Sequence, residues 1–191
     1  IILSLIWGTS FILIKKGLIG YSPGQLGALR IVISGIVFVP VLIKNFKKID
    51  FHLYKYIIAF ALMELGIPPF LYAYAQTVVN SSTAGILNSL VPLFTLLSGF
   101  FLFKISTNFF KTFGVFVGLL GAVLLIFFKS GDFTIIDFAN SWGFLIVLAT
   151  LMYGIGSNIL KEYLQGISDA QITSVAFVSM GIPAFIYLMS T

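Results

Sequence analysis

A chain of 191 residues that is 59% hydrophobic and 9% charged, with a mean hydropathy of +1.10, is too apolar to be a water-soluble domain. Its net charge of +5 is accounted for as a topology signal and an attraction to anionic lipid, and nucleic acid is not an expected partner. The chain contains no cysteine, which excludes disulfides, thiolate metal sites and thiol nucleophiles.

A bilayer core about 30 Å thick needs about 20 apolar helical residues per crossing. Such stretches recur at 1–19, 25–43, 56–76, 83–103, 112–128, 141–160 and 169–189. Runs such as GVFVGLLGAVLLIFF are apolar on every face, unlike the alternating strands of a membrane barrel, so the spans are helices. The expected fold is an all-α integral membrane bundle with seven transmembrane helices. The first apolar run is already under way at Ile1 without an initiator Met, and the chain is expected to be a fragment. Lys44, Lys47, Lys48 and Lys55, with Lys104, Lys111 and Lys161 in alternate loops, place those loops in the cytoplasm. Lys15, Lys16 and Lys129, the last near Asp132 and Asp137, oppose this bias on the other side. Loops 77–82 and 129–140 are then external.

In span 1, Trp7, Thr9 and Ser10 are candidates for a polar lining, with aromatic packing the other reading of Trp7. Arg30 lies near the outer end of span 2, where its side chain either reaches inward or snorkels to the surface. Span 3 holds the carboxylate of Glu64 with Pro68 and Pro69 four and five residues later. A helical proline has no N–H to give the carbonyl four residues back, so those of Glu64 and Leu65 are freed. Glu64 is about 12 Å along a helix starting at Tyr56, close to the midplane. A carboxyl there is protonated, paired or hydrated. It either serves transport or forms a neutral interhelical hydrogen bond. Tyr72 and Tyr74 read as an interfacial aromatic belt. Pro92 of span 4 repeats the helix break beside Asn88 and Ser89, either a substrate contact or an interhelical bond. Gly114, Gly118 and Gly121 form a small-residue stripe on span 5, expected to pack closely on another helix. Tyr153 and Asn158 of span 6 fall at positions equivalent or adjacent to the polar set of span 1. His52 sits in a basic loop as a solvated side chain.

An ungapped overlay at an offset of 146 residues, Leu5 onto Leu151, aligns residues 1–45 with 147–191. Gly8, Val32, Gly35 and Ile36 recur as Gly154, Val178, Gly181 and Ile182. Among polar residues, Lys15, Ser22 and Gln25 recur as Lys161, Ser168 and Gln171. Five spans fit within the offset. Five is odd, so the second copy enters the membrane from the opposite face, as in the inverted repeats of secondary transporters. The complete protein is expected to have ten helices, residues 1–128 forming the first five-helix repeat and 141–191 the start of the second.

WGTSFILIKKGL, SPGQLGALRIVISGIVFVP, YAYAQTVVNSSTAGILNSLVPLFTLLSGFFLF and FGVFVGLLGAVLLIF resemble the first five spans of EamA-type members of the drug/metabolite transporter superfamily. The resemblance implies ten helices in two inverted halves and export of amino acids, other metabolites or drugs from the cytoplasm. The acidic residue usual just after span 4 is missing from FKISTNFFK, so its role does not carry over.

The expected function is therefore a secondary transporter in the cytoplasmic membrane, exporting small metabolites by alternating access. Its expected partners are lipid, a small-molecule substrate and a proton, with a homodimer as one assembly; no cofactor or metal is expected. The substrate or coupling set is Glu64, Trp7, Ser10, Asn88, Ser89, Arg30, Tyr153 and Asn158, with helix breaks at Pro68, Pro69 and Pro92. An intramembrane enzyme would want clustered His, Asp or Glu, which one midspan carboxylate and one loop histidine do not supply. A seven-helix receptor or retinal pump is suggested by span count alone, and no lysine follows Lys161 to form a retinal Schiff base.

Overall fold

Ser22 and Ser168 begin two helices with the same device. Ser22 Oγ accepts the N–H of Gln25 (3.2 Å) while Gln25 Oε1 accepts the N–H of Ser22 (3.1 Å). Ser168 and Gln171 form the same reciprocal pair at 3.4 Å each way. These are capping boxes, which satisfy N–H groups that a helix start leaves without intrahelical partners. Two of the three polar matches at offset 146, Ser22 with Ser168 and Gln25 with Gln171, are thus helix caps.

The computed structural model describes residues 2–45, 49–129 and 142–191, and among these the regular structure is all helical, with no strand. Its helices are α1 (Ile2–Gly17), α2 (Pro23–Lys44), α3 (Phe51–Ala61), α4 (Pro68–Ala75), α5 (Ser81–Asn88), α6 (Val91–Phe101), α7 (Phe109–Lys129), α8 (Gly143–Tyr163) and α9 (Asp169–Met189). A π-helical turn, Leu62–Gly66, joins α3 to α4, and a short turn at Ser89 and Leu90 joins α5 to α6. The described residues form seven helical rods, the third and fourth broken. Five of them are long and apolar enough to cross a membrane: Pro23–Lys44, Phe51–Ala75, Ser81–Phe101, Gly143–Tyr163 and Asp169–Met189.

The rods follow the expected spans closely. The third begins at Phe51 rather than 56, because the helix runs past its apolar stretch into a polar region where Lys55 lies over the Tyr56 ring at 4.8 Å. The fifth begins at Phe109 rather than 112, where Asn108 Oδ1 accepts the N–H of Lys111 at 2.9 Å. Lys47, Lys48, Asp132 and Asp137 of the topology argument lie outside the described residues, as does the proposed boundary between repeats at 130–140.

α2 and α9 pack antiparallel along much of their length. Gly24 lies against Tyr187, Gly35 against Gly181, and Phe38 stacks on Phe177 with ring centroids 4.8 Å apart. The two helices share an apolar groove of about 320 Å³. Val32, Gly35, Ile36 and Val39 line one wall; Val178, Gly181, Ile182 and Phe185, each 146 residues later, line the other. Below it, Ala28, Ile31, Ile57, Ala61, Ile172 and Ala176 form a buried core where α3 joins the pair. A second core, around Ile14, Tyr72, Ala84, Leu87, Ile146 and Ala149, ties α1, α4 and α5 to α8.

The glycine stripe of α7 does not make the expected contact. Among the described residues, a Cβ built on Gly114, Gly118 or Gly121 meets nothing within 4 Å, and Phe113 and Phe116 on the same helix are exposed. Small residues permit a close approach without supplying the partner. The close approaches occur instead at Gly35 and at Gly154, whose added Cβ would lie 2.6 Å from the backbone of Phe94.

Candidate functional site

The prolines of span 3 do more than bend it. Pro68 and Pro69 occupy the first turn of α4, where a missing N–H costs nothing. Ahead of them the Ile67 N–H reaches back to Leu62 O at 3.1 Å, five residues rather than four, which winds Leu62–Gly66 as a π turn. Glu64 is the central residue of that turn. Such turns widen a helix locally and recur at functional sites.

Glu64 is half-buried against α8, its Oε1 accepting the Ser157 hydroxyl at 3.1 Å. Room for the carboxyl comes from Gly156, where a Cβ would stand 2.7 Å from Glu64 Cγ and 2.9 Å from Oε1. Neither Gly156 nor Ser157 is among the expected site residues. The run Gly-Ile-Gly-Ser-Asn at 154–158 is the local signal that a small, polar helix face was present.

Beside this turn is a cavity of about 230 Å³. Its walls are Ile6, Trp7, Ser10, Phe11 and Ile14 of α1, Arg30 of α2, Tyr72 of α4, Asn88 of α5 and Tyr153 of α8. Five of the expected residues thus meet in one place: Trp7, Ser10, Arg30, Asn88 and Tyr153. Arg30 points inward, its Nη2 donating to Ser10 Oγ at 3.5 Å. Tyr72 OH donates to Asn88 Oδ1 at 2.5 Å, and its ring lies 5.5 Å from Phe11 and 6.1 Å from Tyr153. The break before Pro92 ends α5 at Asn88, so the amide reaches this cavity from a helix terminus. Tyr153, a wall residue of the cavity, lies within electrostatic range of both Arg30 and Glu64. Among the described residues no ion pair joins Arg30 to Glu64.

Tyr72 departs from the aromatic-belt expectation: it is 3% exposed, whereas Tyr74 is 42% exposed. Two residues apart on a helix face roughly opposite ways, at about 100° per residue, so one of the two had to point inward. Ser89 and Asn158 are elsewhere. Ser89 Oγ donates to Ile86 O at 2.6 Å within its own turn. Asn158 is buried between α6 and α8, its Nδ2 within 2.8–2.9 Å of Thr95 O, Ser98 Oγ and Gly154 O. Thr9 bonds back to Leu5 O at 2.7 Å.

The model of the EamA-like transporter family matches residues 1–127. A Bacillus subtilis protein named uncharacterized transporter YoaV is 30% identical over 163 residues, covering 78% of this chain and 55% of that protein. An Archaeoglobus fulgidus protein, also named an uncharacterized transporter, is 23% identical over 183 residues, covering 95% of this chain and 63% of its own length. The chain therefore spans somewhat over half the length of these relatives, and no solved structure matches it. With its family model covering two thirds of the sequence and its helices long and apolar enough to cross a bilayer, the chain belongs to the EamA-like transporter family.

Proposed function

We propose that the whole protein is a secondary transporter of the cytoplasmic membrane that exports a small metabolite by alternating access. The observation that carries this is a half-buried carboxylate in a π turn, Glu64, packed on the same helix, α8, that supplies Tyr153 to a cavity holding Arg30. Both charges lie inside helices otherwise apolar, where each costs at least about 2.5 kcal/mol on insertion scales. Ionisable groups at such depth mark substrate and proton pathways.

Ten helices in two inverted halves complete this proposal, with residues 1–128 as the first half and 141–191 opening the second. Three features support it. α1 and α8 end at Gly17 and Tyr163, α2 and α9 begin at Pro23 and Asp169, and both pairs are separated by the offset of the sequence repeat. The capping boxes recur at that offset, and the two walls of the α2–α9 groove are related by it. Inverted halves allow a site near the midplane to open to either face in turn.

Glu64 is assigned the coupling role. It gains a proton on one face and loses it on the other as the halves rock. The test is reconstitution of the full-length protein in liposomes with an imposed pH gradient. Uptake or counterflow of a metabolite that depends on the protein and responds to the gradient supports the proposal; protein-dependent flux in no condition contradicts it.

A further inference from the structure

We propose that the cavity walled by α1, α2, α4, α5 and α8 takes the carboxylate of a small organic acid, held by Arg30. The proposal rests on the transport reading and names the substrate class of that same site.

Arg30 is a cation whose charge is unspent. A guanidinium offers five N–H donors; the one partner of Arg30 among the described residues is Ser10 Oγ at 3.5 Å, the outer limit of a hydrogen bond. No other charged side chain lines the cavity. Lys15, next to the lining residue Ile14, is engaged elsewhere, donating to the carbonyl of Gln76 at 2.7 Å.

The neutral polar groups around Arg30 are also set to donate. Ser10 Oγ accepts from Arg30, which leaves its hydrogen to give. Asn88 Oδ1 already accepts from Tyr72 OH, while the Asn88 NH₂ has no partner among the described residues and can donate. Tyr153 OH has no hydrogen-bond partner among the described residues and faces the same space. Four donors therefore converge with no carboxylate among them. A carboxylate, which accepts only and has about four lone-pair sites, is the complementary group.

One guanidinium balances one negative charge, favouring a monocarboxylate over a phosphate dianion. The remaining wall, Ile6, Trp7, Phe11 and Ile14, is apolar and takes the body of the acid. An amine or quaternary ammonium compound would find aromatic faces here, but also the positive charge of Arg30, while Glu64 is not in the lining.

Equilibrium binding to the purified full-length protein tests this with radiolabelled benzoate and phenylacetate. The comparison probes are their isosteric amides, benzamide and phenylacetamide, and benzylammonium. Saturable binding of at least one acid, at least tenfold tighter than its amide, is expected. Arg30→Gln should weaken acid binding at least tenfold, and Arg30→Lys should retain part of it. Helicity and monodisperse elution check that each variant folds. If Arg30→Gln does not fold, Arg30→Lys and the acid-against-amide comparison decide. Equal binding of amide or ammonium, no saturable binding of either acid, or undiminished binding by the folded Arg30 variants would overturn the proposal. Counterflow of the same compounds in liposomes separates the two levels. Saturable acid binding with protein-dependent flux of no compound in any condition sinks transport and leaves the anion site standing; an amide or amine carried in preference sinks the anion site and leaves transport standing.

Discussion

Gly35 and Gly181, 146 residues apart, face each other across the α2–α9 interface. A Cβ added to Gly35 would lie 3.4 Å from Gly181 Cα, and one added to Gly181 would lie 3.6 Å from Gly35 Cα. The contact is reciprocal between two positions that the sequence repeat makes equivalent. Absence of side chains at this crossing lets two helix backbones meet, the packing device of membrane helices.

That contact is testable by crosslinking, since the chain has no native cysteine. Gly35→Cys with Gly181→Cys brings two sulfurs within the span of a disulfide, and oxidation should join the helices, as shown by a proteolytic fragment pair that separates only on reduction. Gly35→Leu should lower stability by about 1–3 kcal/mol through overpacking, whereas Gly114→Leu on the open face of α7 should shift it by less than about 0.5 kcal/mol. Thermal melts in detergent that rank the two substitutions the other way would contradict the packing.

Gly156→Ala should impair transport without preventing insertion. Its methyl would collide with Glu64 Cγ and Oε1, displacing the carboxyl from the Ser157 hydroxyl. Ser157→Ala, which removes the hydrogen bond but adds no bulk, should be the milder of the two. Initial efflux rates normalised to membrane expression give the comparison. Equal, wild-type rates in both would mean that the position of the carboxyl does not matter.

Asn158 and Ser89 are expected to differ in kind from the cavity residues. Asn158→Leu strips the α6–α8 interface of its polar contacts to Thr95, Ser98 and Gly154 and should cost about 1–2 kcal/mol, the upper range for hydrogen bonds between membrane helices. Ser89→Ala loses a bond within its own turn and should be neutral in both stability and substrate binding. Asn158→Leu with unchanged melting but altered substrate affinity would move Asn158 into the site.

What could be read from the sequence divides along physical lines. Hydropathy depends on composition over a whole span, so the rods were legible to within a few residues, and Pro68, Pro69 and Pro92 marked both broken rods. Neighbours across helices leave no such mark. Trp7, Ser10, Arg30, Asn88 and Tyr153 were legible as polar or aromatic residues out of place in lipid, and they do share a cavity. Asn158 met the same criterion, yet its amide is consumed by helix packing. Tyr72 and Gly156 were missed because an inward tyrosine resembles a belt tyrosine, and a glycine that accommodates a carboxyl resembles one that accommodates a helix.

The lysine bias predicts which face each loop occupies. Asn45→Cys, in the basic loop after α2, should resist a membrane-impermeant maleimide in intact cells and react after permeabilisation. Ser82→Cys, at the start of α5, should react from outside. Labelling of position 45 but not 82 in intact cells would invert the proposed topology.

Glu64 is the residue on which the proposed mechanism depends, and pH-dependent efflux by the full-length protein is the measurement that isolates it. Glu64→Gln keeps the volume of the side chain and an acceptor for Ser157 while removing the ionisable group. If a proton on Glu64 couples transport, the variant should reach the membrane at wild-type levels and lose pH-dependent efflux altogether, while Glu64→Asp retains part of it with a displaced pH profile. Efflux by Glu64→Gln at the wild-type rate and with the wild-type pH dependence would contradict the mechanism and leave the carboxyl a structural partner of Ser157.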